Sequence, residues 1–198
     1  MARRLSALLL FVTLVTAACG SDRTGGPRGD PEAIVRRAPD RTLAGGTVRV
    51  EAAAPGAQSR GRLRVTGGDD QLALAGLAAD KAYPELAHPL AMVDLVRGAV
   101  AVEPYGGIAV RGVSTFRYET VLNVERAVLA TPEQRRPRVV EVARTLGAPA
   151  FYADVWVDGQ GRLRRVQVPV VKTTERPHTR DRRTPDLITV DFFDFEAA

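Results

Sequence analysis

The amino-acid sequence predicts an α+β protein built on a curved, antiparallel, half-open β-barrel, with two or three short helices covering its concave side. Segments in which polar and apolar residues alternate recur along the chain, and glycine-containing turns join them into hairpins. About eight strands are expected. Several are apolar on both faces, notably residues 114–124 and 188–195. Such strands need cover on both sides, which indicates a strongly curved sheet with helices on its concave side and room for an apolar cavity.

The N-terminus has the three-part layout of a secretory signal: Arg3 and Arg4, an apolar stretch at residues 8–15, and small residues. The apolar stretch is well short of the roughly 20 residues that a membrane-spanning helix needs. The segment ends in Thr16-Ala17-Ala18-Cys19, which resembles a bacterial lipobox. In a lipobox the cysteine receives a diacylglycerol and becomes the first residue after cleavage. We therefore expect residues 1–18 to be removed and Cys19 to carry the lipid. The alternative is a cleaved signal with an incidental free thiol.

Composition predicts one ordinary domain behind this anchor. Cys19 is the only cysteine, so no intramolecular disulfide is expected, and residues 19–29 are read as lipid anchor and flexible tether. Residues 30–198 form the domain. The formal net charge of +5 falls to about +3 once Arg3 and Arg4 are removed. An exported protein is not expected to bind nucleic acid, and an anionic membrane surface is the more plausible electrostatic partner.

In the first half of the domain, Asp30-Pro31 has the residues of a helix start, and Pro39 is expected to end or interrupt that helix. Alternation predicts a strand over residues 47–52. It also predicts a hairpin of residues 61–66 and 71–74 around a Gly-Gly-Asp-Asp turn. His88-Pro89 opens a short helix that is apolar nearly all round. Such a helix must be buried or cover a cavity.

In the second half, three strands are expected over residues 99–104, 107–112 and 114–124. A helical stretch begins at Thr131-Pro132, and its better half covers residues 138–146, which Gly147 ends. Residues 151–157 and 163–171 form the clearest hairpin, and 188–195 is the last strand.

Three stretches resemble the actinobacterial LppX/LprG-type lipoproteins, which share a half-open barrel with LolA-like lipid carriers. They are PLAMVDLVRGAVAVEPYGGIAVRGVSTFRYETVLNVERAV, APAFYADVWVDGQGRLRRVQV and LITVDFFDF. With the lipobox they cover about two thirds of the chain. The family usually has a further strand pair with aromatic residues where this chain has only AGLAADKAYPELA. This difference suggests a smaller or more open pocket.

The resemblance implies a lipid-anchored module outside the cytoplasmic membrane that accepts the acyl chains of a lipid or glycolipid, with no catalytic group and no cofactor. The alternative is an envelope interaction or scaffolding lipoprotein with the same fold and no lipid cargo. Nine residues are candidates for lining the pocket, with ordinary core as the other reading: Val48, Val50, Leu63, Val65, Met92, Val96, Phe116, Tyr118 and Trp156.

Arginines could hold anionic headgroups near the cavity mouth, or could simply be solvated. The charged segment contributes Arg176, Arg180, Arg182 and Arg183, and the hairpin contributes Arg162, Arg164 and Arg165.

No catalytic or metal-binding motif stands out. His88 and His178 are the only histidines, and neither has a metal-ligand neighbour at useful spacing. Asp154 and Asp158 flank Trp156 on the strand face that also holds Tyr152, and Asp158 has the simpler role of opening a turn. An enzyme is not expected.

Overall fold

A computed structural model describes residues 27–44, 46–55, 57–65, 71–75, 88–169 and 186–196 of the 198-residue chain. The predicted signal peptide, Cys19 and most of the tether lie outside these residues, as do the segment 76–87 and the basic segment 170–185. The described strands form one sheet. They are β1 (Gly46–Ala54), β2 (Ala57–Val65), β3 (Gln71–Ala75), β4 (Ala99–Val110), β5 (Val113–Asn123), β6 (Ala150–Asp158), β7 (Leu163–Pro169) and β8 (Leu187–Glu196).

The sheet is open and antiparallel throughout, in the order β3-β2-β1-β8-β7-β6-β5-β4. Hairpins join β1 to β2, β2 to β3, β4 to β5 and β6 to β7. The last strand, β8, lies between β1 and β7 and so connects the two halves of the sheet. This architecture confirms the predicted α+β class with an open antiparallel sheet, and the predicted hairpins at residues 61–74 and 151–171 are both present.

Four α-helices accompany the sheet in the described part of the chain. They are α1 (Pro31–Thr42), α2 (Pro89–Leu95), α3 (Val124–Ala130) and α4 (Arg136–Leu146), with 3₁₀ helices at Val96–Gly98 and Glu133–Arg135. The prediction of two or three helices missed α3, which continues directly from the end of β5. The side chain of Asn123 accepts a hydrogen bond from the backbone N–H of Arg126 at 2.9 Å, and this cap turns the chain from strand to helix.

Helix α1 begins as predicted, because Asp30 caps it by accepting from Ala33 N at 3.0 Å. The prediction that Pro39 ends or interrupts it was wrong. The helix continues to Thr42 with Pro39 buried inside it, and the N–H of Leu43 donates to the Pro39 carbonyl at 2.9 Å. A proline near the end of a helix removes one backbone hydrogen bond, which burial of its ring offsets.

The prediction of separate strands at 99–104 and 107–112 was also wrong, since both belong to β4. Pro104 and Gly106-Gly107 have the composition of a turn, but the pairing with β5 only shifts register at Val100/Glu103 and Pro104/Gly106. Gly106 absorbs one shift at a φ of 143°. Proline is tolerated because β4 is an edge strand, where a missing N–H donor need not disrupt a ladder.

One face of the sheet carries the hydrophobic core. Alternate residues of β1, β8, β7, β6 and β5 pack there with α1, α2, α3 and α4. Every residue of α2 is buried, which confirms the expectation for a helix that is apolar nearly all round. The packing therefore gives a two-layer molecule, with an apolar interface between sheet and helices and a second, outer face of the sheet.

Candidate functional site

The helix–sheet interface holds most of the predicted pocket residues. Val48, Val50, Met92, Val96 and Tyr118 are all buried in its core. Phe116 is half-buried beside them, with its ring centroid 6.1 Å from that of Tyr118. Burial raises the pKa of the Tyr118 hydroxyl. The structure thus brings these six side chains together on the helix-facing side, where they fill the space between sheet and helices. Whether they line a lipid cavity stays a prediction.

Trp156 does not join that group. Its neighbours Val155 and Val157 belong to the core cluster, whereas Trp156 points to the outer face of the sheet. There the guanidinium carbon of Arg117 lies 5.4 Å from its ring, and that of Arg165 lies 5.8 Å away. Leu63 and Val65 lie on β2, and the positions of their side chains are outside what the structure describes.

The outer face carries a row of charged and aromatic residues that crosses five strands. The register places Arg117, Trp156, Arg165, Asp191 and Glu51 opposite one another in turn. Arg165 Nε and Nη2 donate to Asp191 at 2.6 and 2.8 Å. Charge-assisted pairs of this kind are the strong members of a hydrogen-bond network. The outer face is therefore held by paired charges.

The hairpin of β4 and β5 bends over this outer face. Arg111, in its turn, donates to Glu51 at 2.6 Å and to Asp191 at 3.0 Å, and stacks on Phe193 at 4.2 Å. In a flat sheet β8 would lie three strand spacings, about 14 Å, from β5. The contact shows that the sheet is strongly bent. Burial opposes the charge on Arg111, but the hydrogen bonds that it donates to Asp191 and Glu51 outweigh this effect and raise its pKa.

Asp154 lies in the next row of the outer face, and its carboxylate accepts hydrogen bonds from two neighbouring side chains. It accepts from Arg117 Nε at 3.1 Å, from Arg117 Nη2 at 2.9 Å and from the Tyr152 hydroxyl at 2.8 Å. Burial opposes the charge on Arg117, but its bonds to Asp154 dominate and raise its pKa. These contacts give Asp154 a structural role in holding the outer face together.

Asp158 organises the β6–β7 turn. Its Oδ1 accepts from the backbone N–H groups of Gln160 and Arg162, and its Oδ2 from the side chains of Arg162 and Arg164 at 3.1 and 2.8 Å. Burial alone would raise the pKa of Asp158, but the hydrogen bonds from Arg162 and Arg164 lower it. The guanidiniums of Arg162 and Arg164 also stack on Phe195. These two candidate headgroup arginines, like Arg165, are therefore paired with carboxylates.

The helix layer holds a buried ionic cluster that sequence reasoning missed. Asp94 accepts from Arg97 Nε at 2.8 Å and from Arg135 Nη2 at 3.1 Å, and Arg97 Nη1 donates to Asp40 at 2.7 Å. Burial raises the pKa of Asp94 although both arginines act against it. A sequence signal was available, because two charged residues within the apolar run LAMVDLVRG must be paired if that run is buried.

An apolar groove of about 400 Å³ opens on the surface between α3 and α4. This volume is near the lower end of the range for small-molecule sites, about 300–1,000 Å³. None of the nine predicted pocket residues lines it. Its walls are formed by Val124, Val128, Val140, Ala143, Arg144, Gly147, Ala148 and Pro149.

No metal-binding cluster and no membrane-crossing helix is found in the described part of the chain. There, no group of three or more His, Cys, Asp or Glu side chains is placed to hold a metal ion. His88 stands before α2 and makes no side-chain cap, and His178 lies outside the described residues. None of the helices described has the length and hydropathy of a membrane-crossing segment.

The chain is structurally similar to lipoproteins of the group that its sequence motifs resemble. LppX of Mycobacterium tuberculosis is 14% identical, with a TM-score of 0.45 over 84% of this chain and 96% of LppX. LprF of Mycobacterium bovis is 10% identical, with a TM-score of 0.46 over 88% of this chain and 96% of LprF.

A putative outer-membrane lipoprotein-sorting protein domain of Vibrio parahaemolyticus is a more distant match. It is 14% identical, with a TM-score of 0.26 over 83% of this chain and 90% of that domain. No family model matches the sequence, and no curated protein does.

Proposed function

We propose that this protein is a membrane-anchored extracytoplasmic lipoprotein whose domain binds or transfers a lipid or glycolipid without catalysing a reaction. The observation that carries the proposal is the apolar interface between the helix layer and the sheet. It extends across five neighbouring strands and includes Leu90, Ala91, Met92, Val93 and Leu95 of α2. An interface of this kind offers acyl chains a continuous apolar surface once the two layers part.

Lipid entry requires the helices to move away from the sheet, because side chains fill the interface in the described state. Apolar contacts are non-directional, so acyl chains can replace them at a gain of about 25 cal/mol per Å² removed from water. A directional tie also crosses the interface, where Leu163 N donates to Thr42 Oγ1 at 2.8 Å. Opening would need to break or bypass this bond.

The anchor in this proposal is a diacylglycerol on Cys19, which lies outside the described residues. Two acyl chains at about 0.8 kcal/mol per buried methylene hold a protein on a bilayer far more firmly than one chain. Intact-mass measurement of protein from membranes should show the acyl mass on a chain that begins at Cys19. Cys19→Ala should lose the acyl mass and, in fractionation, leave the membrane fraction. An unsubstituted protein with no acyl mass would remove the anchor from the proposal.

Lipid cargo is tested by organic extraction, which removes bound lipid and leaves covalent acyl groups on the protein. We expect protein purified from membranes to release about one cargo lipid or glycolipid per chain, as a single binding site would. The matched control is residues 1–29 joined to an unrelated soluble domain, which reports lipid carried by the anchor alone. Equal lipid from both proteins would contradict a cargo role.

A second candidate is an envelope interaction module with the same fold and no cargo. The filled interface favours it, since Met92 and Val96 have no exposed surface and are packed as ordinary core residues are. The extraction experiment separates the two candidates, because an interaction module would release no lipid above the control.

A further inference from the structure

The surface formed by α3 and α4 combines exposed apolar side chains with arginines. Leu129 is 68% exposed and Val140 is 38% exposed, and Val140 lines the groove between the two helices. Arg136 connects them: its Nη2 donates to the Leu129 carbonyl at 3.4 Å, and Val140 follows it by about one helical turn. Leu129 and Val140 thus lie on the two helices that flank the groove, and the exposed surface of these helices is here called the α3–α4 face.

The arginines of this face differ from those of the outer sheet face. Arg126, Arg138 and Arg144 are exposed, and within the described residues no carboxylate pairs with them. Arg136 is exposed too and, among the residues that the structure describes, donates only to the backbone carbonyls of Thr131 and Leu129. Glu125 and Glu141 lie on the two helices and Glu133 in the 3₁₀ helix between them, so positive charge is in modest excess there.

We infer that the α3–α4 face docks on an anionic lipid bilayer, with Leu129 and Val140 entering the headgroup layer and the four arginines contacting lipid phosphates. Exposed apolar residues surrounded by arginine are the composition of a surface that lies in a membrane interface. Each arginine near an anionic bilayer contributes about 1 kcal/mol of attraction. The charge of the face thus complements the surface of such a bilayer.

The choice of a bilayer as the partner rests on the proposed anchor at Cys19. Residues 20–29 are the tether, and ten residues at about 3.5 Å each reach at most about 35 Å. A domain on so short a tether meets the bilayer continually, and a docking face would fix its orientation. The groove between α3 and α4 would then open toward the lipid surface.

The test uses the full lipoprotein in vesicles, with an environment-sensitive fluorophore on one introduced cysteine. Acylation blocks Cys19, the only native cysteine, so the introduced thiol alone is labelled. Leu129→Cys reports on the α3–α4 face. Ile108→Cys is the matched control, since Ile108 is 53% exposed on β4. Vesicles contain either phosphatidylcholine alone or phosphatidylcholine with phosphatidylglycerol, plus a trace of lipid with a nitroxide quencher.

We expect the fluorophore at residue 129 to shift to the blue and be quenched only in vesicles with phosphatidylglycerol, while the one at residue 108 stays in water. Replacing Arg138 or Arg144 by Gln should lower the ratio of docked to undocked protein about fivefold each. Arg49→Gln, which removes an exposed arginine from the outer sheet face, should leave the ratio unchanged.

Identical spectra at residues 108 and 129 in both vesicle types would overturn the inference. A blue shift at residue 129 that grows with protein concentration and persists in detergent would mean that a second copy covers this face, which also overturns it. If the unsubstituted protein takes up the fluorophore, Cys19 is free and the proposed anchor fails. Docking is then judged by whether added anionic vesicles shift the Leu129→Cys signal and not the Ile108→Cys signal.

Discussion

Asp94 and Arg97 share a hydrogen bond of 2.8 Å that is almost entirely removed from water, since 1% and 7% of their side chains are exposed. The bond sits within the apolar segment of α2 and the 3₁₀ helix that follows it. Through Asp40 and Arg135 it reaches α1 and the chain before α4. The helix layer is thus tied by charges within itself and meets the sheet mainly through apolar contacts.

Arg97→Gln should lower the free energy of unfolding by about 3 kcal/mol, because Asp94 would stay buried with one charged partner fewer. Burial opposes the charge on Arg97, but bonds to Asp94 and Asp40 outweigh it and raise its pKa. Arg49→Gln is the control, since its pair with Asp194 is about half exposed and should contribute less than about 1 kcal/mol. Urea unfolding measures both variants. Equal losses of unfolding free energy in the two variants would show that the buried cluster stabilises the protein no more than an exposed ion pair does.

Gly98→Ala should destabilise the protein by about 3 kcal/mol or more, because a methyl group there has no room. An added Cβ would overlap the carbonyl oxygen of Asn123 and lie 2.9 Å from the backbone nitrogen of Ala127. Gly159→Ala is the matched control, since nothing lies within 4 Å of a Cβ built there. Thermal unfolding followed by circular dichroism should show a lower midpoint for Gly98→Ala only. A wild-type midpoint would contradict the packing of the 3₁₀ helix on α3.

Asp158→Asn should reduce the free energy of unfolding by about 2 kcal/mol at pH 7, through loss of charge-assisted bonds to Arg162 and Arg164. The pKa of Asp158 in the folded protein lies below its ordinary 3.8, so the native state holds its proton less readily than the unfolded state does. The stabilisation is therefore complete well above pH 3.8 and disappears as the pH falls through the lowered pKa. Urea titrations of both proteins from neutral to strongly acid pH measure the difference, and a constant difference would refute the linkage.

Arg117→Gln should lower the free energy of unfolding by about 2 kcal/mol. Asp154 would lose two charge-assisted hydrogen bonds, and the stacking of the Arg117 guanidinium on Tyr105 and Trp156 would be lost. Trp156 is the only tryptophan, so its fluorescence reports directly on this site. The emission should move to the red as water reaches the ring. Arg49→Gln, which breaks an exposed pair with Asp194, should change neither stability nor emission appreciably.

Local patterns predicted most of the sheet. Alternation and turn residues located β1, β2, β3, β6, β7 and β8, because each hairpin is closed by neighbouring residues whose conformational preferences are visible in the sequence. The errors in β4 and α3 have different causes. In β4, proline and glycine were interpreted as a turn although an edge strand tolerates them. At the end of β5, the apolar residues around Asn123 favoured a continued strand, so Asn123 was not recognised as a helix cap.

The candidate site was less accessible to sequence reasoning, and Trp156 shows why. Alternation places it on the face of Asp154 and Tyr152, so the pattern already separated it from Val155 and Val157. Which of the two faces the helices cover depends on long-range packing, and so does every ion pair between distant strands. Arg111 reaches Asp191 across 80 residues of sequence. Neither residue carries a local signal of that contact.

The central position of β8 governs when the sheet can be completed. Until residues 187–196 arrive, β1 and β7 are both bare edges, and the first three strands have no partner in β4 to β7. Without β8 the chain therefore holds two separate, incomplete halves of the sheet. Completion of the sheet requires β8 to pair with β1 on one side and with β7 on the other.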